Sequence, residues 1–201
     1  MKLVLASRSP RRRELLSLIT DQFEVVASHF DESSITESDP EALVKSLSYH
    51  KAVAVPASES TVVIGADTVV VSPEGEIFGI PAGEEEAGRM LRALSGRTHC
   101  VMTGVTLLGG GQRITFCETT RVTFRPLGEE ELRRYICSGE PFDKAGGYGI
   151  QGKAALFVTG IEGDFYNVVG LPVARLFLAL QELEGLLGES CHKNSAVRKN
   201  S

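Results

Sequence analysis

Between Thr61 and Val71 the chain reads TVVIGADTVVV. Eight of these eleven residues are β-branched, a density that fits a strand packed on both faces in the interior of an α/β sheet. Working outward, residues 2–6 read as a short buried strand. It feeds Ser9-Pro10, a helix N-cap followed by proline at the first helical position, with Leu15, Leu16, Leu18 and Ile19 as the inward face. Residues 40–55 predict a helix with Leu43, Val44, Leu47 and Ala54 on one stripe. Past the turn Pro73-Glu74-Gly75, residues 84–95 predict another, with Ala87, Met90, Leu91 and Leu94 inward and Gly96 ending it. His99–Leu108 and Arg113–Phe124 flank Gly109-Gly110-Gly111 as the arms of a hairpin. Residues 129–138 read as helix and stop at Gly139. A glycine-rich loop follows from Asp143 to Gly152, then a strand at 154–159 and a turn at Glu162-Gly163-Asp164. The last helix, after Pro172, carries Val173, Leu176, Phe177 and Leu180. This order predicts an α/β or α+β unit around a mixed sheet.

At 201 residues, 42% hydrophobic and 23% charged, the chain has the balance of one globular unit. Residues 1–188 are expected to form a single two-lobed domain with a central cleft, and the polar, aperiodic segment 189–201 to fray. The net charge of −5 opposes binding to nucleic acid or to anionic membranes, so any anionic ligand must meet a local basic pocket. The apolar run Leu3–Ala6 is too short for a secretory signal, and no stretch approaches the roughly 20 apolar residues of a membrane span. Cys100, Cys117, Cys137 and Cys191 lack metal-site spacing and read as reduced core thiols in a cytoplasmic protein.

Three placements need a physical explanation. Arg11, Arg12 and Arg13 open a helix, where the macrodipole disfavours positive charge. Either they form a solvated basic face paired with acids elsewhere, or they line an anion site with the helix N–H groups. Asp67 lies inside the most apolar run, where its lost hydration is replaced by a cation such as a metal ion, or by hydrogen bonds at a strand end. Lys51 falls on the apolar stripe of its helix and either snorkels or serves a partner. GYGIQG, from Gly147 to Gly152, matches a dinucleotide fingerprint in letters only, since it is read as leading into a strand rather than a helix. A Walker reading of Gly147–Lys153 fails because Ala154 stands where a hydroxyl is needed. The loop remains a place where backbone can lie against a ligand, presenting Lys144, Tyr148 and Gln151. His29, His50, His99 and His192 show no metal spacing or nucleophile partner, and no serine-triad signature is present. Metal-assisted attack by water is therefore favoured over covalent catalysis.

Five blocks, in order, resemble the Maf-type nucleoside triphosphate pyrophosphatases. They are LASRSPRRRELL (Leu5–Leu16), IGADTVV (Ile64–Val70), LSGRTHCVMTGV (Leu94–Val105), GEPFDKAGGYGIQG (Gly139–Gly152) and NVVGLP (Asn167–Pro172). The resemblance implies a two-lobed α/β fold of the Maf/ITPase-like kind, a mixed, twisted β-sheet with flanking helices, often homodimeric. It implies hydrolysis of a nucleoside triphosphate to the monophosphate and pyrophosphate with a divalent cation, Mg²⁺ or Mn²⁺. By the same resemblance Asp67 is the proton acceptor and a metal ligand, with Glu32 an additional metal-site carboxylate. Ser7, Arg11, Arg12, Lys51 and Lys144 match phosphate-handling positions, and Arg11, Thr68 and Gln151 match positions linked to substrate choice. The KAGGYGIQG form of the loop resembles the branch acting on dTTP and UTP, with modified pyrimidine triphosphates in the same class. An amide at Gln151 suits a uracil or thymine edge.

One position departs from the family pattern. A lysine commonly precedes the proline after the Asp-Thr strand, whereas Gly79-Ile80-Pro81 places isoleucine there. A missing ammonium removes a phosphate contact unless another cation such as Lys153 replaces it. The alternative is therefore a nucleotide-binding regulator of growth or division with little turnover.

Overall fold

The computed structural model describes residues 2–58 and 60–197, excepting the side chains of 189–197. In chain order the elements are β1 (Lys2–Ala6), α1 (Pro10–Leu16), β2 (Phe23–Val25), α2 (Pro40–Val53), β3 (Thr61–Val71), β4 (Ile77–Phe78), α3 (Glu84–Leu94), β5 (Thr98–Gly109), β6 (Gln112–Phe124), α4 (Glu129–Ile136), β7 (Val158–Glu162), α5 (Phe165–Val169) and α6 (Val173–Val197). The strands form one seven-stranded mixed sheet in the order β2-β1-β3-β5-β6-β7, with β4 on the far end of β3. β1 runs parallel to β2 and β3, and β3, β5, β6 and β7 are successively antiparallel. The expected mixed α/β sheet is what forms, with the TVVIGADTVVV run at its centre and its arms in the predicted hairpin. Gly110 and Gly111 turn that hairpin with φ of 55° and 75°, which residues with a Cβ seldom adopt.

β1 ends at Ala6 opposite Gly65, while β3 continues six residues further beside β5. Its two halves serve different cores. Val62, Ile64 and Ala66 pack with Val105, Leu107, Phe116 and the inner face of α6. Val70 packs with Phe78, Val101, Val122, Phe124 and the helices α3 and α4. Between the cores the central strands turn polar at Asp67, Thr68, Thr103 and Thr120, all but Thr68 buried. The cleft opens over this belt.

α2 lies unusually close to the sheet. A Cβ on Gly65 would stand 2.1 Å from the Ser48 carbonyl oxygen, and one on Gly104 would stand 2.2 Å from that of Val44. Both distances are far inside contact, so only glycine lets the helix backbone rest on β3 and β5. The seat is locked by the Ser48 and Thr106 hydroxyls, 2.9 Å apart.

Several local expectations are corrected. The predicted strand at 154–159 begins only at Val158, and Lys153–Phe157 is a 3₁₀ turn. Ala154 and Phe157 are buried while Ala155 and Leu156 are exposed, a period of three that suits a 3₁₀ face and not a strand. Leu18 and Phe177 are exposed: α1 stops at Leu16, and Phe177 falls one place off the Leu176–Leu180–Leu183 stripe. On α2, Ala52 rather than Ala54 faces inward. Cys100 and Cys117 are half-buried and Cys137 is exposed, all as free thiols, so none of these three is a core residue. Cys191, His192 and the rest of the segment 189–201 lie outside the described side chains. No helix among the described residues is long and apolar enough to cross a membrane.

His99, in β5, is buried in the second core against Phe124 and Tyr148, with Nε2 2.7 Å from the Tyr148 hydroxyl and Nδ1 without a partner among the described residues. Burial pushes its pKa down to about 4 from 6.5. Between those values the unfolded chain binds a proton that the folded chain refuses, so stability falls on acidification across that window and the loss is complete below about pH 4. The full effect is about 3 kcal/mol. Urea unfolding at a series of pH values should show this slope, and His99→Gln should flatten it. An undiminished slope in the variant would assign the proton to another group.

Candidate active site

Asp67 and Thr68 are neighbours on β3, so their side chains leave opposite faces of the sheet. Asp67 pairs in register with Gly104, on the face that carries α2. There the Lys51 ammonium, from the last turn of α2, donates to Asp67 Oδ1 at 2.5 Å and lies 2.8 Å from Glu32 Oε1. Glu32 opens a short 3₁₀ turn, Glu32–Ser34, capped by Asp31. The cation that replaces Asp67's lost hydration is thus Lys51, and the apolar position of Lys51 on its helix is what brings it to the sheet. Burial raises the Asp67 pKa, while the charges of Lys51 and then Arg12 pull it back down.

Thr68 leaves the other face and meets α1. Arg12 donates from Nη2 to Thr68 Oγ1 and from Nε to the Gly170 carbonyl, both at 2.9 Å. Gly170 closes α5 at a φ of 126°. Burial lowers the Arg12 pKa against the attraction of Asp67, yet a guanidinium stays charged in proteins. Arg11 reaches across the cleft to the loop, donating to Asp143 Oδ2 at 2.7 Å and to the Asp143 carbonyl at 2.9 Å. Lys144 pairs with the same carboxylate and donates to the Glu140 carbonyl. α1 has only seven residues and Ser9 Oγ already accepts from the Arg12 N–H. Asp143, rather than a long helix dipole, is therefore the charge that Arg11 faces.

These groups share one cleft of about 460 Å³. Arg11, Arg12, Glu32, Lys51, Asp67, Thr68, Lys144 and Gln151 all line it, together with Ile80. Ser7 does not: it is buried in the β1–α1 turn, its hydroxyl accepting from the Ser9 N–H at 3.2 Å. Lys153 is also off the wall, whereas Lys144 and Lys51 line the cleft with Ile80. The loop is held by Tyr148, whose ring is buried against Phe124. Asp143, Thr103, Asn167 and Gly170 support the site and were not singled out from sequence. A threonine amid the apolar residues of VMTGV, and an aspartate next to Lys144, were the available signals.

The two carboxylates fit a divalent cation of the hard, oxygen-seeking kind. Asp67 and Glu32 both contact the Lys51 ammonium nitrogen, which puts two hard oxygen donors on one wall of the cleft. No group of three or more His, Cys, Asp or Glu able to hold a metal occurs among the described residues. Two carboxylates suit Mg²⁺, which commonly completes its shell with water and substrate phosphate oxygens.

The chain resembles known proteins over most of its length. A family described as Maf-like protein matches residues 2–183. A dTTP/UTP pyrophosphatase of Bacillus cereus is 50% identical over 184 residues, covering 91% of this chain and 96% of the relative. Those of Bacillus velezensis and a Geobacillus species are each 51% identical, over 90% of this chain and 96% and 98% of theirs. Among solved structures, a HAM1 protein from Coxiella burnetii superposes with a TM-score of 0.50 at 15% identity, covering 90% of this chain and 99% of its own. The Ham1 protein of Staphylococcus aureus gives 0.51 at 13%, covering 92% and 100%. At such identities the two structures speak for the fold alone.

The Asp67–Lys51 pair is directly measurable. Carboxyl-carbon NMR should show Asp67 titrating above the ordinary carboxylate range, and higher still in Lys51→Met, because removing the ammonium leaves burial unopposed at its nearest point. An unchanged midpoint in the variant would mean that Lys51 does not hold the carboxylate in solution.

Proposed function

The chain belongs to the Maf family, and on that premise we propose that it is a nucleoside triphosphate pyrophosphatase, hydrolysing dTTP and UTP to the monophosphate and pyrophosphate. The observation that carries this reading is the cleft itself, in which a buried, basic carboxylate faces cationic side chains with donors to spare.

The triphosphate lies among Arg11, Arg12 and Lys144, whose fixed donors match phosphate oxygens. Arg11 and Lys144 exchange Asp143 for the ligand as it enters. Asp67 takes a proton from water as its oxygen bonds to the α-phosphorus, and the bond from that phosphorus to the bridging oxygen breaks, releasing pyrophosphate. Burial makes Asp67 a stronger base than an exposed carboxylate, and the Lys51 charge works against that rise. A divalent cation held by Asp67 and Glu32 would offset the charge that builds on the phosphates. Gln151 offers one amide donor and one acceptor to the edge of a uracil or thymine ring. A mismatched base leaves those groups unpaired, which supports preference for pyrimidine triphosphates.

Two further readings belong with this one. Phe165, Tyr166, Phe177 and Leu178 expose apolar surface on α5 and α6, which supports pairing of two copies. The free thiols of Cys100, Cys117 and Cys137 support a reducing, cytoplasmic setting.

Incubation with a nucleotide panel and Mg²⁺ or Mn²⁺, resolving pyrophosphate from phosphate, should give pyrophosphate from dTTP and UTP first. Bound nucleotide with no metal-dependent pyrophosphate would favour a regulator without turnover. Asp67→Asn should fold and lose roughly 10² to 10⁴ in turnover, whereas near-normal turnover would remove Asp67 from the chemistry. Ile80 is 60% exposed on the cleft wall, so a lysine there reaches the ligand without repacking. Ile80→Lys should raise kcat/KM, by about tenfold or more if the new ammonium makes one charge-assisted hydrogen bond. An unchanged or lower value would show that this position is not used for phosphate.

A further inference from the structure

The Arg12–Thr68 contact is the first link of a longer chain. Thr68 Oγ1 lies 3.0 Å from Thr103 Oγ1, and Thr103 Oγ1 donates to the Asn167 carbonyl at 3.2 Å. Its ends fix its direction. A guanidinium only donates and a carbonyl only accepts, so the Thr68 proton points to Thr103 and the Thr103 proton points to Asn167. Thr103 and Asn167 are fully buried, so the far end of the relay is shielded from solvent. Asn167 is itself anchored, its side-chain amide donating to the Val101 carbonyl at 3.1 Å and to Thr120 Oγ1 at 3.0 Å.

Both acceptors that hold Arg12 therefore trace to one short segment. Gly170 supplies a carbonyl directly, and Asn167 supplies one through two hydroxyls. Together they use two of the five guanidinium N–H groups. Nη1 has no hydrogen-bond partner among the described residues, and Arg12 lines the cleft. We infer that Thr103 is a positioning residue, which aims the open side of Arg12 at the ligand through a one-way relay from Arg12 through Thr68 and Thr103 to the Asn167 carbonyl. This rests on the triphosphate reading of the cleft but assigns work to a residue that touches no substrate.

The relay separates hydroxyl from volume. Thr103→Val keeps the shape and removes the link, and Thr103→Ser keeps the link and removes a methyl group. Steady-state hydrolysis of dTTP and UTP should show kcat/KM down severalfold to about tenfold in Thr103→Val, on the scale of one lost hydrogen bond, and near wild type in Thr103→Ser, with melting temperatures recorded for both. In an Arg12→Lys background, which lacks the fork, Thr103→Val should change kcat/KM less than about twofold. Equal activity of Thr103→Val and wild type overturns the inference. So does equal damage from valine and serine, or an undiminished effect in the Arg12→Lys background. Inorganic tripolyphosphate supplies a readout free of turnover: its stabilising shift in melting temperature should be smaller for Thr103→Val than for Thr103→Ser. If wild type releases no pyrophosphate, the hydrolase reading fails while the tripolyphosphate comparison still decides the role of Thr103.

Discussion

A single carboxylate in the middle of the central strand sets the terms for the rest of this molecule. Taking a charged Asp67 out of water costs several kcal/mol after relaxation, and only a well-placed opposite charge offsets it. Lys51 supplies that charge at 2.5 Å, but only because α2 is held at backbone distance from β3 and β5. The cost of burial is thereby tied to the docking of a helix, and the docking of the helix to two positions that cannot carry a side chain. On the opposite face the same strand offers Thr68 to Arg12. The site is thus built from consecutive residues whose side chains diverge, with each half secured by a different helix.

Most of the fold could be read from residue order. Regular elements announced themselves by period, as in the β-branched β3 or the Ala87, Met90, Leu91, Leu94 stripe of α3, because burial on a known face leaves a repeating mark. The 3₁₀ turn at Lys153–Phe157 did not, since four apolar letters in a row suit a strand as well as a tight turn until the depth of each is known. Among the site residues, Asp67, Lys51 and the arginines stood out as charges in places that ordinarily exclude them. Ser7 carried a family role by position, yet its hydroxyl closes a turn behind the wall. Thr103 and Asn167 were invisible for a related reason. A buried hydroxyl or amide is unremarkable in sequence, and its meaning lies in which atom it faces across the sheet.

The superposition on Ham1 proteins at 13–15% identity shows how little of the sequence the architecture demands. Apolar cores sharing long strands can be filled in many ways, provided volume and alternation are kept. The polar belt between them has no such latitude, because each of its groups must find a partner of the right sign and direction. Function therefore resides in the narrow strip where packing rules give way to hydrogen-bond rules.

The bare backbones at Gly65 and Gly104 limit how the protein can be hardened against heat. Replacing glycine by alanine ordinarily stiffens the unfolded chain to good effect, and consensus-style engineering would reach for such sites early. At these two the extra methyl would act as a wedge under the helix, lifting its end and drawing the ammonium off the carboxylate. Robustness has to be sought elsewhere on the molecule, for these two sites link the electrostatics of Asp67 and Lys51 to main-chain thickness.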